Sequence, residues 1–358
     1  MAHTVVKPQK LAATAIGVLE SEIVVPQMFL KEGIDQFRGA EDDTVNVKVP
    51  GVLPSREYGW RNDRSQPIQT DEYAERKIQV TFGGNLYSAV TLIDEQKDMD
   101  IEGWAKLLDP QARAVGRGLE GRAVSTLENA DYQVVIGAAD TDLPGPSGTS
   151  TLTRSIVEAR RVLKRFKVPA GETRWLLVGS DFEAALQNDP EFNKASNVGD
   201  SVAESALLEA TINRWKGFTI VSSDEIDPEA AYAFVTSAFI FLSAAPSVPD
   251  SVPFGATTAY KDIAMRWVRD YDPMYMRDRS VVNTYWGFRS VVDPLIRIDA
   301  SHNEHISEYE HFVRGVKIDL EATDSVYPDG NDSEKAHELV TFTGVGTEAS
   351  DSSWSSAA

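Results

Sequence analysis

The chain has 358 residues, of which 42% are hydrophobic and 25% charged, as in globular proteins with a large core. Its formal charge of −20 argues against a protein that grips nucleic acid, since phosphate binding needs a basic face. The lack of cysteine excludes disulfides, thiol nucleophiles and thiolate metal sites, and fits synthesis in a reducing compartment. No signal-peptide or membrane-spanning pattern is visible, so we expect a soluble protein made in the cytosol.

The N-terminal part predicts an amphipathic helix, two strands and a long loop between them. Apolar residues recur three or four positions apart between Leu11 and Phe37, with an interruption at Pro26. This helix is either an ordinary packing helix or an arm that lies on a neighbour. Strands are predicted at 44–49 and 77–82. The segment between them has no apolar period and mixes both charges, and a connection of this length is usually functional or disordered.

After a strand at 82–93, Asp109 and Pro110 predict the start of the longest helix. Asp is a favoured N-cap residue, and Pro is favoured at the first helical position. About twenty residues at 1.5 Å each give a rod of roughly 30 Å, which we interpret as a structural spine. One stripe of this helix carries Ala112, Val115, Leu119, Ala123, Leu127 and Ala130.

A second α/β region is predicted after a linker rich in Gly, Pro, Ser and Thr at Gly137–Ser150. The pattern predicts two helices, one of them capped by Ser180 or Asp181, and several strands. The predicted elements are a helix at 156–163, a strand at 175–179, a helix after residue 181, strands at 215–221 and 231–235, a break at 244–255, and long strands at 264–269 and 279–292. From Glu321 onward we expect a solvated acidic tail with one strand at 339–343.

Two motifs suggest chemistry, and neither is strong. Gly116–Gly121 fits the G-x-G-x-x-G dinucleotide fingerprint, but it lies inside a predicted helix, where the backbone amides are already bonded. Close helix packing explains these glycines better. His302, His305 and His311 cluster, yet neither a helix nor a strand brings all three to one point, as a metal requires. We therefore expect a solvated acidic stretch there. We predict no catalytic residues, no metal and no cofactor.

Several stretches, taken in chain order, resemble a known family. They are KLAATAIGVLESEIVVPQ, TVNVKVPGVLPSREYGW, RKIQVTFGGNLYSAVTLIDEQKDMDIEGW, TRWLLVGSDFEAAL, RWKGFTIVSSDEI and MRWVRDYDPMYMRDRSVVNTYWGFRSVVDP. Their order is similar to that of the major capsid protein of tailed phages, the fold first described for phage Hong Kong 97. The chain looks closest to the podophage-type coat protein family of actinobacterial phages. The likeness runs from about Lys7 to Asp319 and lies in the order of segments rather than in one sharp motif.

The resemblance implies an α+β, Hong Kong 97-type phage capsid fold with an N-arm, an extended loop (E-loop), a peripheral domain with a long spine helix, and an axial domain. The implied segments are the N-terminal arm or helix at 1–43, the extended β-hairpin loop at 44–93, the peripheral domain with its spine helix at 94–140, the axial domain at 141–262, strands returning to the peripheral domain at 263–320, and the acidic C-terminal tail at 321–358. Some members carry an inserted domain, for which this chain has little room, around 244–278.

The resemblance also implies the function. A major capsid protein is a structural, self-assembling subunit, and copies form the pentamers and hexamers of an icosahedral virion head around double-stranded DNA. The implied partners are other copies, a scaffolding protein and a portal, with assembly in the host cytoplasm and no membrane. DNA is enclosed without sequence-specific binding. An acidic inner wall would help to keep the genome unbound.

In that family the long loop of one subunit lies across its neighbour, and the composition here suits this role. Opposite charges on two subunits can set their register, while aromatic residues and Arg dominate interface energetics. We interpret Tyr58 and Trp60 as hydrophobic anchors. The predicted intersubunit contact residues are Arg56, Glu57, Tyr58, Trp60, Arg61, Asp63 and Arg64. The alternative is a disordered, solvated loop.

Two other functions remain open from the sequence. An encapsulin-like compartment shares the fold but encloses cargo proteins instead of a genome. A cytosolic nucleotide-binding α/β enzyme would use the glycine run at Gly116–Gly121.

Overall fold

The computed structural model describes part of the chain, and every structural statement below concerns that part. The described residues are 12, 15–16, 23–32, 44–49, 53, 55, 60, 67–68, 70, 76–95, 104–168, 171–191, 214–252, 254–260, 263–298, 304–327 and 354–355. The chain divides into two compact units. Unit 1 comprises Met1–Val47, Ile78–Asn129 and Phe239–Ser290, and unit 2 comprises Lys48–Lys77, Ala130–Ala238 and Val291–Ala358.

Helices and strands are mixed along the chain. The helices are α1 (Val25–Met28), α2 (Trp104–Glu128), α3 (Thr151–Arg165) and α4 (Ser180–Asn188), with a 3-10 helix at Thr236–Ala238. The strands are β1 (Leu30–Glu32), β2 (Thr44–Val49), β3 (Arg76–Thr81), β4 (Gly84–Ile93), β5 (Val135–Gly137), β6 (Arg174–Val178), β7 (Arg214–Trp215), β8 (Phe218–Ser222), β9 (Ala230–Val235), β10 (Phe239–Ala244), β11 (Phe254–Tyr260), β12 (Ile263–Asp272), β13 (Arg277–Ser290), β14 (Asp293–Ile298), β15 (Glu304–His311), β16 (Gly315–Asp319) and β17 (Trp354–Ser355). Strands β2 and β3 form a two-stranded sheet, and β14, β15 and β17 a three-stranded one.

Unit 1 is built on a sheet with the strand order β1-β10-β13-β12-β11, in which β4 also pairs with β13. Strand β1 runs parallel to β10, and the other pairs are antiparallel. Strand β10 is apolar and buried along its whole length, as its sequence FIFLSA requires. Phe29 stacks on Phe239, with ring centroids 4.8 Å apart, and joins the N-terminal segment to this core.

The N-terminal helix prediction is right for part of its range only. Ala12, Ala15 and Ile16 are helical and buried. Pro26 lies in the first turn of α1, and at residues 30–32 the helix prediction is wrong, because they form strand β1; residues 33–37 lie outside the described residues. The backbone groups of residues 30–32 find partners in β10, and this tertiary pairing overrides the helical spacing of the side chains.

Helix α2 begins at Trp104, so the prediction that Asp109 and Pro110 open it is wrong. Pro110 lies inside the helix, on its exposed side, where water can replace the hydrogen bond that a proline cannot donate. Asp109 does not act as a cap and instead accepts a hydrogen bond from Arg113 Nε, four residues on. The predicted apolar stripe is confirmed for five residues, which are buried in unit 1: Ala112, Val115, Leu119, Ala123 and Leu127. The sixth, Ala130, lies beyond the end of the helix.

Unit 2 is built on a sheet with the strand order β5-β16-β9-β6-β8-β7. Strand β9 is buried at all six positions, and β6 pairs with it in antiparallel fashion and with β8 in parallel fashion. Ser150 is the N-cap of helix α3, and its Oγ accepts a hydrogen bond from the backbone N–H of Thr153.

Two local predictions in unit 2 are wrong for steric or turn reasons. The N-cap of α4 is Gly179 rather than Ser180 or Asp181, because a Cβ at residue 179 would lie 2.3 Å from the carbonyl oxygen of Asp227. The predicted strand at 215–221 is split into β7 and β8. Lys216 and Gly217, with φ of 48° and 93°, form the two-residue turn between them.

The predicted segment boundaries differ from those of the units. Residues 239–262, expected within the axial domain at 141–262, belong to unit 1, because β10 and β11 pair with β13 and β12. Glu304–His311, expected to be a solvated stretch, forms strand β15, paired with β14. His302 and the predicted strand at 339–343 lie outside the described residues. The functional names of the segments stay predictions.

Candidate intersubunit surfaces

The long loop, residues 50–75, joins β2 to β3. Of its predicted contact residues, Trp60 is described, and its side chain is 91% exposed. Ile68 in the same loop is 71% exposed, and Leu53 is exposed as well. The other predicted contact residues lie outside the described part of the chain: Arg56, Glu57, Tyr58, Arg61, Asp63 and Arg64. Several large apolar side chains exposed in one segment are typical of a surface that another molecule covers.

A second exposed apolar surface, which the sequence reasoning missed, is the turn between β12 and β13. We call residues 273–276 the hairpin tip. Met274 is 87% exposed, and Tyr275 and Met276 are also exposed. The turn is ordered by its own backbone: the Tyr275 N–H donates to the carbonyl of Asp272 (3.3 Å), and Met276 has a φ of 46°. The Arg277 guanidinium lies 4.5 Å from the centroid of the Tyr275 ring, a cation–π contact.

Ion pairs join the two strands that carry the hairpin tip. Asp270 lies opposite Arg279 in the register, and Asp272 lies opposite Arg277. The paired atoms are 2.6 Å apart for Arg279 and Asp270, and 3.5 Å apart for Arg277 and Asp272. On the other side of the strands, the more buried Arg269 and Asp278 are 2.9 Å apart. Opposite charges facing each other across strands stabilise their pairing.

A buried polar network joins the same hairpin to α2. Ser280 Oγ donates to Gln111 Oε1 and accepts from Trp267 Nε1, both over 2.9 Å. The Gln111 side-chain amide donates to the Ser280 carbonyl over 3.0 Å. Tyr271 donates its hydroxyl hydrogen to Asp94, and this hydrogen bond, with burial and the Asp94 charge, raises the pKa of the Tyr271 hydroxyl. The base of the hairpin is therefore fixed by polar contacts.

In the glycine motif of α2, close packing is seen at Gly118, whereas a Cβ at Gly121 would meet nothing within 4 Å. Gly118 lies so close to β4 that a Cβ there would be 2.9 Å from the Leu86 side chain. Glu120, within the same motif, is buried and accepts hydrogen bonds from the backbone N–H of Val25 (2.9 Å) and Val24 (3.0 Å). This carboxylate holds the start of α1. The motif lies inside the helix, as predicted, and not at the helix N-terminus, where backbone amides are open to a phosphate.

Unit 2 has its own buried polar cluster. Tyr327 donates to Glu158 Oε1 over 3.0 Å, and Arg161 binds both oxygens of the same carboxylate. Burial, followed by the Glu158 charge, raises the pKa of the Tyr327 hydroxyl well above its usual range. Ser325 donates to Asp140 over 2.7 Å. These contacts hold residues 325–327 against α3 and the segment after β5.

An exposed acidic group lies at one end of the unit 2 sheet. The charge of Glu321, followed by burial and by three further acids, raises the pKa of the Glu229 carboxyl. The three acids are Asp227, Asp181 and Asp319. Across the described residues, no group of three or more His, Asp or Glu side chains is placed to hold a metal ion. No helix among them is long and apolar enough to cross a membrane.

Comparison with known protein families shows which family the chain belongs to. A family model described as phage capsid protein matches residues 79–295, more than half of the chain. The chain belongs to the phage capsid protein family. It is a major capsid protein, a structural subunit that assembles with other subunits into the shell of a phage head, and its place is the virion capsid. No protein of curated function matches the chain.

Solved structures agree in fold. A chain described as Mycobacterium phage Che8 is similar over 83% of this chain and 90% of its own, with a TM-score of 0.56 and 15% identity. A chain from the capsid structure of cyanophage P-SCSP1u covers 83% and 88%, with a TM-score of 0.55 and 10% identity. One from the mature capsid of bacteriophage PhiM1 covers 83% and 87%, with a TM-score of 0.53 and 10% identity. The predicted α+β, Hong Kong 97-type fold of this capsid protein is confirmed.

Proposed function

We propose that this capsid protein assembles as hexamers and pentamers that close an icosahedral head, and that the long loop of each subunit lies across its neighbour. The observation that carries the proposal is the 91% exposure of Trp60, a large aromatic side chain in a loop that also exposes Ile68. Burial of such a side chain stabilises an interface by about 1.5–3 kcal/mol.

The charges of the loop support a contact between copies. Basic and acidic residues alternate through it, so one loop can pair with both signs of charge on a neighbouring subunit. Such pairs set register and specificity more than affinity. The proposed contact set is the predicted one: Arg56, Glu57, Tyr58, Trp60, Arg61, Asp63 and Arg64.

The charge of −20 supports a container for double-stranded DNA that does not bind its contents tightly. The head assembles in the host cytoplasm with a scaffolding protein and a portal, and encloses the genome. The chain has no catalytic role and needs no cofactor. The segment names of the sequence analysis, from the N-arm to the acidic tail, are part of this proposal.

The test is electron microscopy of the purified protein, with sizing chromatography of the same sample. Closed shells or rings of five and six subunits are expected. Deletion of residues 55–72 is expected to abolish them, and so is replacement of these residues by a Gly-Ser segment of equal length, which keeps the connection between β2 and β3. A wild-type protein that stays a monomer or dimer, even with scaffolding protein supplied, would contradict the proposal.

A single substitution tests the contribution of the Trp60 side chain apart from that of the rest of the loop. Trp60→Ala is expected to reduce shell yield at least tenfold, since aromatic residues at interface centres often account for 2 kcal/mol or more. The matched control is Val157→Ala, which truncates an exposed apolar side chain on α3. Equal shell yields from the two variants would show that the Trp60 side chain is not an anchor.

A further inference from the structure

Helix α3 of unit 2 carries a concentrated positive charge in an otherwise acidic chain. Residues 154–167 contain six basic residues and one acid, whereas the formal charge of the whole chain is −20. The acid, Glu158, is buried and is paired with Arg161. Lys164 and Lys167, at the end of the helix, are exposed. Like charges gathered on one surface repel each other, and an anionic partner relieves this repulsion.

The positive charge continues onto the turn between β7 and β8. The Arg160 side chain donates from Nη1 to the carbonyl of Lys216 over 3.0 Å, which places this turn beside α3. Arg214 and Lys216 are exposed there, and Lys164 follows Arg160 by one helical turn on the same side of α3. We call the combined surface the basic face, and its residues are Arg160, Lys164, Arg165, Lys167, Arg214 and Lys216.

The chain beyond residue 327 starts from the same helix. The Tyr327 hydroxyl donates to Glu158 Oε1 over 3.0 Å, and Arg161 binds both oxygens of this carboxylate. The backbone of Val326 is fixed as well, through two hydrogen bonds with Val135 of 2.7 Å and 2.9 Å. The segment after residue 327 therefore leaves from a point that is held on α3, close to the basic face.

That segment has the charge and the length to reach the basic face. Residues 328–338 contain four acids and one lysine. Eleven residues can extend over about 36 Å, whereas Glu158 and Lys164 are only about 9 Å apart along the helix axis. A segment joined to its site by a short connection also has a high effective concentration there, so it competes well with anions in solution.

We infer that residues 328–338 bind the basic face of the same subunit, with their carboxylates beside Lys164, Arg165 and Lys167. The bound segment neutralises a surface that would otherwise attract the phosphates of nucleic acid. The inference uses contacts of unit 2 alone, and it rests neither on the long loop nor on the formation of shells.

Lysine acetylation of the unassembled subunit tests the contact. The unaltered chain is compared with a four-site variant, in which the acids of the segment are made neutral: Asp329→Asn, Asp332→Asn, Glu334→Gln and Glu338→Gln. Mass spectrometry measures acetylation at low ionic strength, where charge pairs are screened least. We expect the labelling of Lys164 and Lys167 to rise at least threefold in the variant. Lys106, an exposed lysine of unit 1, should be labelled equally in both proteins.

A matched variant separates a local contact from a general loss of negative charge. It removes the same number of charges from other exposed acids of unit 2: Asp224→Asn, Glu225→Gln, Glu229→Gln and Glu321→Gln. We expect this matched variant to show unaltered labelling of Lys164. Equal labelling of Lys164 in the unaltered chain and the four-site variant would overturn the inference, and so would an equal rise in both variants.

The lack of cysteine allows a test of which copy supplies the segment. Lys164→Cys combined with Asp332→Cys places two thiols in the chain, which are oxidised at low protein concentration. We expect a disulfide within one chain, seen as a monomer of altered mobility on a non-reducing gel. The control pair, Lys106→Cys with Asp332→Cys, should form its disulfide at least tenfold more slowly. Disulfides formed only between chains would overturn the inference, in favour of a second copy.

Binding of a short double-stranded DNA tests nucleic acid as the partner instead. By fluorescence anisotropy at low salt, the unaltered subunit should bind the DNA at least tenfold more weakly than the four-site variant does. Adding Lys164→Gln and Lys167→Gln to that variant should remove the gain. If the unaltered subunit bound the DNA as tightly as the variant, and through these two lysines, the inference would be overturned in favour of a surface for nucleic acid phosphates.

Discussion

The central sheet of unit 2 and the outer end of the β12–β13 hairpin of unit 1 are ordered by different forces. Strand β9 is buried at all six positions and is held by apolar packing. The base of the hairpin also buries apolar side chains such as Trp267 and Val282, but towards its tip the two strands are held by ion pairs, and Met274 stays in solvent. The difference teaches that a segment fixed by polar contacts can leave its apolar side chains available to another chain. In the sheet of unit 2, by contrast, the side chains of β9 are already buried within the unit itself.

The largest effect is expected in the core of unit 2. Phe234→Ala removes a fully buried ring from β9 and should lower the free energy of unfolding by about 3–5 kcal/mol. The control Phe254→Ala truncates an exposed ring on β11, beneath Arg269, and should cost about 1 kcal/mol or less. Denaturant unfolding of both variants measures the difference. Similar losses would contradict the distinction between the two regions.

The polar support of the hairpin is tested by its ion pairs. Asp278→Ala leaves the Arg269 guanidinium without its buried carboxylate and should cost about 1–3 kcal/mol. Asp270→Ala removes an exposed pair with Arg279 and should cost at most about 1 kcal/mol. Both are measured by denaturant unfolding. If Asp270→Ala were the more damaging variant, the exposed ion pairs rather than the buried one would fix the hairpin.

Many strands of the two units could be predicted from the sequence, whereas their long-range contacts could not. Alternating or continuous apolar runs predict β4, β6, β9, β12 and β13, because the residues on a buried face of a strand recur with the period of the strand. Strand β16 was missed, since Gly315–Asp319 is short and is buried only through its long-range neighbours β5 and β9. The roles of Glu120 and Ser280 depend on partners 95 and 169 residues away along the chain, which no local pattern contains.

Of the two candidate surfaces, the long loop could be predicted from the sequence and the hairpin tip could not. Trp60 was singled out because an unpatterned loop of that length is unusual, and its exposure agrees with a role in contact. The sequence around the hairpin tip predicts only strands, at 264–269 and 279–292. Its apolar character is visible in the letters PMYM, but their exposure follows only once Asp272 and Arg277 are known to pair across the turn.

A smaller effect is expected in the pH dependence of stability, through Tyr327 in unit 2. The raised pKa of the Tyr327 hydroxyl means that the folded protein holds this proton more tightly than the unfolded chain does. The resulting stability is present below the ordinary tyrosine value of 10.0 and is lost as the pH rises above it. Tyr327→Phe should cost about 0.5–1.5 kcal/mol at pH 7 and should weaken the loss of stability above pH 10. Thermal melts across pH 7–11 measure both; identical slopes would contradict the assignment.

The smallest effect is expected at the exposed acids of unit 2. Glu321 and its neighbours raise the pKa of Glu229, so the stability linked to this group is present below its unfolded pKa and decreases as the pH rises through the folded value. Glu229→Gln should raise the melting temperature slightly at pH 7 and leave it unchanged at pH 3, with the effect reduced by salt. Glu183→Gln, on α4, is the control. A lower melting temperature for Glu229→Gln at pH 7 would contradict the expected repulsion.

The position of β16 has a consequence for synthesis of the protein. This strand lies inside the unit 2 sheet, between β5 and β9, although it is made long after both. Unit 1 likewise depends on β13, which pairs with β10, β12 and β4. At about 5–20 residues per second, a ribosome has produced most of the chain before either sheet can close. A chain that ends before β13 and β16 therefore lacks a central strand in the sheet of each unit.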